Sequence, residues 1–172
     1  MPKTTTDISE PRVYQYLASP LGKLTLIASD SALHSILWPD VLQTSKAKKN
    51  FLALEPSKNH PVCLQTALQL NQYFRSERKS FDIPFVLKGT AFQKEVWKVL
   101  LDIPYGCTLS YQEQAVRLGG KEKVRAVGRA NGANPIPIIV PCHRVLGKSG
   151  ALTGFAGGLE TKSYLLELES IQ

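Results

Sequence analysis

Cys142, His143 and Glu169 are the residues of this 172-residue chain whose types and placement could do covalent chemistry. A thiolate is a strong nucleophile, but an unperturbed thiol, with a pKa of about 8.5, needs a base to ionise near neutral pH. An imidazole can be that base, directly or through a water, and a carboxylate can orient the imidazole. Adjacent side chains of an extended segment point to opposite faces, so His143 reaches Cys142 only across a turn or a bridging water. In the final helical pattern Lys162, Leu165, Leu166 and Glu169 fall at i, i+3, i+4 and i+7, whereas Ser163 and Glu167 project elsewhere. A carboxylate on the apolar face is costly unless partnered, which selects Glu169 over Glu167 as the acid. A cysteine can equally be an inert core residue, so the surrounding elements have to decide.

Those elements are punctuated clearly in the second half of the chain. The run Asn134-Pro135-Ile136-Pro137-Ile138-Ile139-Val140 reads as a stiff, buried strand that delivers Cys142 to a turn at its end. Thr90-Ala91-Phe92-Gln93 is a capping box opening a helix that ends near Asp102, with Phe92, Val96, Val99 and Leu100 on one face. Ser110-Tyr111-Gln112-Glu113 is a second capping box, starting a short helix that stops at Gly119-Gly120; a further helix runs from Lys121 to about Asn131. Helix, glycine turn, basic helix is a helix-turn-helix pattern. On the second helix Ala126 and Ala130, and likewise Arg125 and Arg129, are four apart with Gly128 between them. Small residues of this kind allow close backbone approach to a surface.

The segment Pro141-Cys142-His143-Arg144-Val145, preceded by Asn134 to Val140, resembles the active-site signature of the O6-alkylguanine-DNA alkyltransferases, also called methylated-DNA–protein-cysteine methyltransferases. The resemblance extends to Ser110-Tyr111-Gln112 and Arg125-Ala126-Val127-Gly128. It implies irreversible, single-turnover transfer of a methyl or larger alkyl group from O6-alkylguanine in double-stranded DNA onto Cys142. The base is first rotated out of the helix, with a water between Cys142 and His143 and with Glu169 behind His143. It further implies that Arg125 fills the vacated stack and that Tyr111 crowds the flanking phosphate and protonates the departing guanine. The helix carrying Ala126, Arg129 and Ala130 is expected in the minor groove. The Ala156 amide is expected at the O6 oxygen, the Cys142 and Val145 carbonyls at the guanine amino group, and Lys162 near the pocket. Asn134 is expected to tie the DNA-binding helix to the active-site loop. Phe155 stands where the family usually has tyrosine, keeping a stacking wall and losing a hydroxyl; Ala91 replaces a common proline.

The first half reads as strands over Val13–Ala18, Leu24–Ala28 and Ala32–Trp38, then a solvated basic helix or loop at Lys46–Asn50. A helix follows Pro61 with Leu64, Ala67, Leu70 and Phe74 on its face, and Phe81–Phe85 is a candidate edge strand. The expected architecture is α+β. The resemblance implies that residues 1–88 form a small ribonuclease-H-like α/β domain; 1–10 are expected to be a disordered tail, and 89–172 a mostly helical domain with the helix-turn-helix and the site.

Net charge is +7 and the pI about 9.4, which favours polyanionic partners without naming one. Between Tyr111 and Lys148 the positives are Arg117, Lys121, Lys123, Arg125, Arg129, Arg144 and Lys148, against Glu113 and Glu122, a clustering that points to a nucleic-acid face. No stretch has the roughly 20 apolar residues of a membrane span, and the first residues lack the apolar segment of a signal peptide. A cytoplasmic monomer is expected, with no membrane partner. The cysteines Cys63, Cys107 and Cys142 are odd in number and form no C-x-x-C pair, against a disulfide framework or a seeded metal site. Some family members hold a structural zinc through residues near the start. Here the first cysteine or histidine is His34, so neither metal nor cofactor is expected. Two rivals stay open at this level: a non-catalytic alkylguanine-binding module and a Cys-His-Glu hydrolase or acyltransferase.

Overall fold

The computed structural model describes residues 10–41 and 45–170; the tail expected at the amino terminus falls outside this range up to residue 9. The chain divides into two compact units, Met1–Leu87 and Lys88–Gln172. In the first, β1 (Val13–Ser19), β2 (Gly22–Ala28), β3 (Leu33–Leu37) and β4 (Glu55–Pro56) form a sheet in the order β3-β2-β1-β4. β1 pairs antiparallel with β2, Tyr16 opposite Thr25, and the tight connection puts Gly22 at φ 94°, a conformation glycine adopts without strain. Leu24, Thr25, Leu26 and Ala28 are all buried, so the central strand is covered on both faces. Lys46–Asn50 belongs to a helix, α1 (Ser45–Leu52), whose Phe51 ring packs 4.3 Å from Tyr14.

Two sequence expectations need correction here. α2 (Pro61–Phe74) buries Val62, Cys63, Thr66, Gln69, Leu70, Tyr73 and Phe74 and leaves Leu64 exposed, so the inward face is rotated from the one read from leucine spacing. Polar residues can be buried because Thr66 donates to the Val62 carbonyl and Gln69 bonds both backbone groups of Asp82. The Phe81–Phe85 edge strand reduces to one parallel bridge, Phe85 to Leu33, with Leu33 N donating to Pro84 O and Val86 N to Leu33 O. Pro84 has no N–H to extend the ladder.

The second unit begins with α3 (Ala91–Leu101), whose capping box is formed by Thr90 and Gln93. β5 (Leu109–Ser110) leads into α4 (Tyr111–Arg117), again with a reciprocal capping box, between Ser110 and Glu113. After the turn at Gly119, φ 105°, and one 3-10 turn over Lys121–Lys123, α5 (Val124–Gly132) completes the helix-turn-helix. The buried amides of Gln114 and Asn131 bond each other reciprocally at 3.1 and 2.7 Å, and Trp97 Nε1 donates to the Ala130 carbonyl at 2.8 Å. These bonds fix α4 and α3 against α5. β6 (Val145–Leu146) pairs in parallel with β5, and α6 (Leu159–Ser170) closes the unit.

Candidate active site

The segment that presents Cys142 is a turn, not the strand expected from its apolar composition. Ile136 to Val140 are buried, Val140 N donates back to Ile136 O, and Ile138 sits at φ 73°. Pro135 and Pro137 lack the donors a strand needs. Asn134, just beyond α5, stands in for them: its Nδ2 donates to Val140 O at 2.7 Å and its Oδ1 accepts from Ile136 N at 3.0 Å. Cys142, His143 and Arg144 then form one 3-10 turn, and the β5–β6 pairing holds its exit beside the start of α4, where Tyr111 lies.

Lys162, Leu165 and Glu169 of α6 are buried and Glu167 is exposed, as the helical spacing anticipated, whereas Leu166, read on the same face, is only half-buried. His143 Nε2 lies 2.7 Å from Glu169 Oε1, both side chains being all but inaccessible. His143 Nδ1 is buried and meets no hydrogen-bonding group among the described residues. Burial pushes the His143 pKa down, with help from the charges of Arg144 and Lys162, and outweighs the upward pull of Glu169. The ring is therefore neutral at pH 7. Its single proton sits on Nε2, donated to Glu169, and Nδ1 keeps its lone pair. Burial would raise Glu169, but hydrogen bonds from His143 and Arg144 outweigh it and take the carboxyl to about 2.

Burial likewise pushes the Cys142 thiol up to about 11, offset in part by a hydrogen bond from Asn134 and by the Lys162 charge. The residue rests as a thiol, and its proton has to leave as it reacts. Lys162 Nζ lies 3.2 Å from the Thr153 carbonyl, 3.4 Å from the Tyr111 hydroxyl and 5.9 Å from the centre of the Phe155 ring. The Tyr111 hydroxyl points at the carbonyls of Thr153 and Gly154, at 3.3 and 3.4 Å. Beside it opens a cleft of about 740 Å³ between the first turn of α4, Val124 and Gly128 of α5, and the loop carrying Gly147–Ser149, Thr153 and Gly154. Cys142 does not line this cleft. Val145 is buried behind the turn, and Phe155 and Ala156 lie on the loop, Ala156 exposed.

On α5, Arg125 and Arg129 are exposed and Ala126 is partly so. Ala130 is the exception: at 3 % exposure it packs inward, and the small outward positions are Ala126, Gly128 and Gly132. An added Cβ at Gly128 would meet nothing within 4 Å, so the fold itself does not require glycine there. Of the seven clustered cations, one is tied down at half burial and one leaves the surface. Lys123 Nζ caps α4 through the Leu118 carbonyl, and Arg144 is buried against Glu169. Sequence reasoning missed Arg144. The signal was available: a buried glutamate facing a neutral histidine leaves one uncompensated negative charge, and Arg144 is the cation beside that histidine. No described helix is long and apolar enough to cross a membrane, and no three His, Cys, Asp or Glu of the described residues form a metal-binding group.

Two family models match the chain. Residues 12–87 match the 6-O-methylguanine DNA methyltransferase, ribonuclease-like domain, and residues 91–171 match the DNA binding domain of the same family. A methylated-DNA–protein-cysteine methyltransferase of Mycobacterium tuberculosis is 48% identical over 91% of both chains. The one from Methanosarcina barkeri is 43% identical over 91% of this chain and 96% of its own. The crystal structure of Mycobacterium tuberculosis OGT in complex with DNA superposes with a TM-score of 0.81 at 45% identity, covering 91% of this chain and 92% of that one.

Proposed function

The chain belongs to the methylated-DNA–protein-cysteine methyltransferase family, and we propose that it repairs O6-alkylguanine in DNA by moving the alkyl group irreversibly onto Cys142. The observation that carries the assignment of roles is the buried row Cys142, His143, Glu169, with the unprotonated Nδ1 of His143 as its only basic atom without a protein partner among the described residues. Glu169 holds the imidazole. Nδ1 takes the Cys142 proton through a water while sulfur attacks the alkyl carbon in line. Removing a proton from a thiol of pKa about 11 at pH 7 costs about 5 kcal/mol, within reach of an enzyme that couples it to bond formation. The guanine leaves with a proton from Tyr111, and the thioether formed is too poor a leaving group to be turned over.

The target base must swing out of the duplex, at a cost of a few kcal/mol. Arg125, exposed on α5, fills the gap it leaves, and Arg129 pairs with backbone phosphate. Ala126, Gly128 and Gly132 keep the helix face slim enough for the minor groove. Asn134 couples that helix to the reactive turn. The Phe155 ring walls the purine, with the Ala156 amide at O6 and the Cys142 and Val145 carbonyls at the exocyclic amine. One molecule acts alone, since every group invoked comes from a single chain.

Intact-mass measurement after mixing with an O6-methylguanine oligonucleotide tests this. The protein gains the mass of one methyl group, and Cys142→Ala gains none. Tight binding to the lesion with unchanged mass would replace alkyl transfer by lesion binding.

A further inference from the structure

Arg144 lies across Glu169 from His143 and uses three nitrogens there. Nε donates to Glu169 Oε2 at 2.9 Å, Nη2 to Oε1 at 3.0 Å, and Nη1 to the Ile103 carbonyl at 2.6 Å. The guanidinium carbon is 5.8 Å from the centre of the Tyr105 ring, and the Gly106 amide reaches Glu169 Oε2 at 3.3 Å. Oε1 is thus shared between Arg144 Nη2 and His143 Nε2.

Building on the alkyl-transfer reading, we infer that Arg144 is a positioning residue: its two-pronged grip on Glu169 holds His143 in the tautomer that makes Nδ1 the base. A carboxylate bound by a planar fork stays ionised, so toward Nε2 it can only accept. The imidazole proton is thereby pinned to Nε2, away from the atom that must receive the thiol proton. A lysine there would be a point charge without the fork and would let the carboxylate rotate. The charge of Arg144 acts separately from its shape. The charged groups that act on His143 are Glu169 and Lys162 on α6 and Arg144 on its own turn, beside the Cys142 thiol; Tyr105 after α3 faces Arg144, and Tyr111 on α4 faces Lys162. Among them the cations oppose an imidazolium, and removing one favours it.

Two variants separate shape from charge: Arg144→Lys and Arg144→Met, each followed by the rate of methyl gain against pH and by ¹⁵N NMR of the His143 ring. The wild-type ring shows a neutral Nε2–H form at pH 7. In Arg144→Met the rate falls at least about tenfold, the ring signals move toward imidazolium, and the midpoint of the acid limb rises by about one pH unit. Arg144→Lys keeps that midpoint but shows mixed tautomers and a reduced rate. Unchanged ring signals and an unchanged acid limb in Arg144→Met, with rates tracking only the folded fraction in thermal unfolding, would overturn the proposal. If Arg144→Met does not fold, Arg144→Lys decides: a single Nε2–H signature at full rate rejects the clamp. A wild type that gains no methyl group sinks the transfer reading instead, and the ring signals still judge Arg144 on their own.

Discussion

Glu169 accepts from His143, from two nitrogens of Arg144 and from the Gly106 amide, and this concentration of donors gives the carboxyl a stability signature. Its pKa is about 2 in the folded chain against 4.5 in the reference state, because those donors outweigh burial. A depressed folded pKa contributes stability that is complete above the unfolded value, declines below about 4.5 and is lost as pH falls through about 2. The shift corresponds to about 3 kcal/mol. Urea unfolding at pH 6 and pH 3 checks it: the wild type loses about 2 kcal/mol more than Glu169→Gln over that interval. Equal losses would mean that the carboxylate is not stabilised in place. Glu169 was legible in the sequence because helical spacing put a charge on an apolar face. Arg144 was overlooked because its charge invited grouping with the surface cations, although a buried carboxylate calls for a cation and Arg144 stands beside His143.

At the level of elements, helix punctuation was readable and the side-chain satisfaction of backbone and amide groups was not. Both capping boxes lie where Thr90 and Ser110 announce them. The turn from Asn134 to Val140 was misread as a strand because apolar composition does not reveal that the Asn134 side chain, bonding groups two and six residues on, replaces the strand's partners. The Gln114–Asn131 amide pair was equally invisible, being a contact between two helices. Ser110 caps α4 and pairs with β6, so it sets the backbone from which Tyr111 projects. Ser110→Ala costs about 1 kcal/mol in denaturant unfolding and slows methyl gain; an unaltered rate would separate the cap from the positioning of Tyr111. For α5, Arg125→Ala lowers repair of duplex DNA more than reaction with free O6-benzylguanine. Equal losses would remove its stack-filling role.

For the molecule as a whole, the net charge of +7 matters through the cations that remain outside. Arg117, Lys121, Arg125, Arg129 and Lys148 are exposed in the second unit. If each meets a phosphate, log affinity for duplex DNA falls with log salt at a slope of about −4 to −5, and Arg129→Ala makes it shallower by about one. A slope near zero would place the binding elsewhere. The two-part organisation and the helix-turn-helix were read from hydrophobic patterning and turn punctuation, whereas the turn geometry around Cys142 needed the folded chain. The loop between Gly147 and Gly158 adds a last consequence. Tyr111 and Lys162 grip it by the oxygens of Thr153 and Gly154, atoms that every amino acid carries. The Thr153 side chain is therefore free to drift among descendants of this chain, while a single inserted or deleted letter would slide both handholds out of reach.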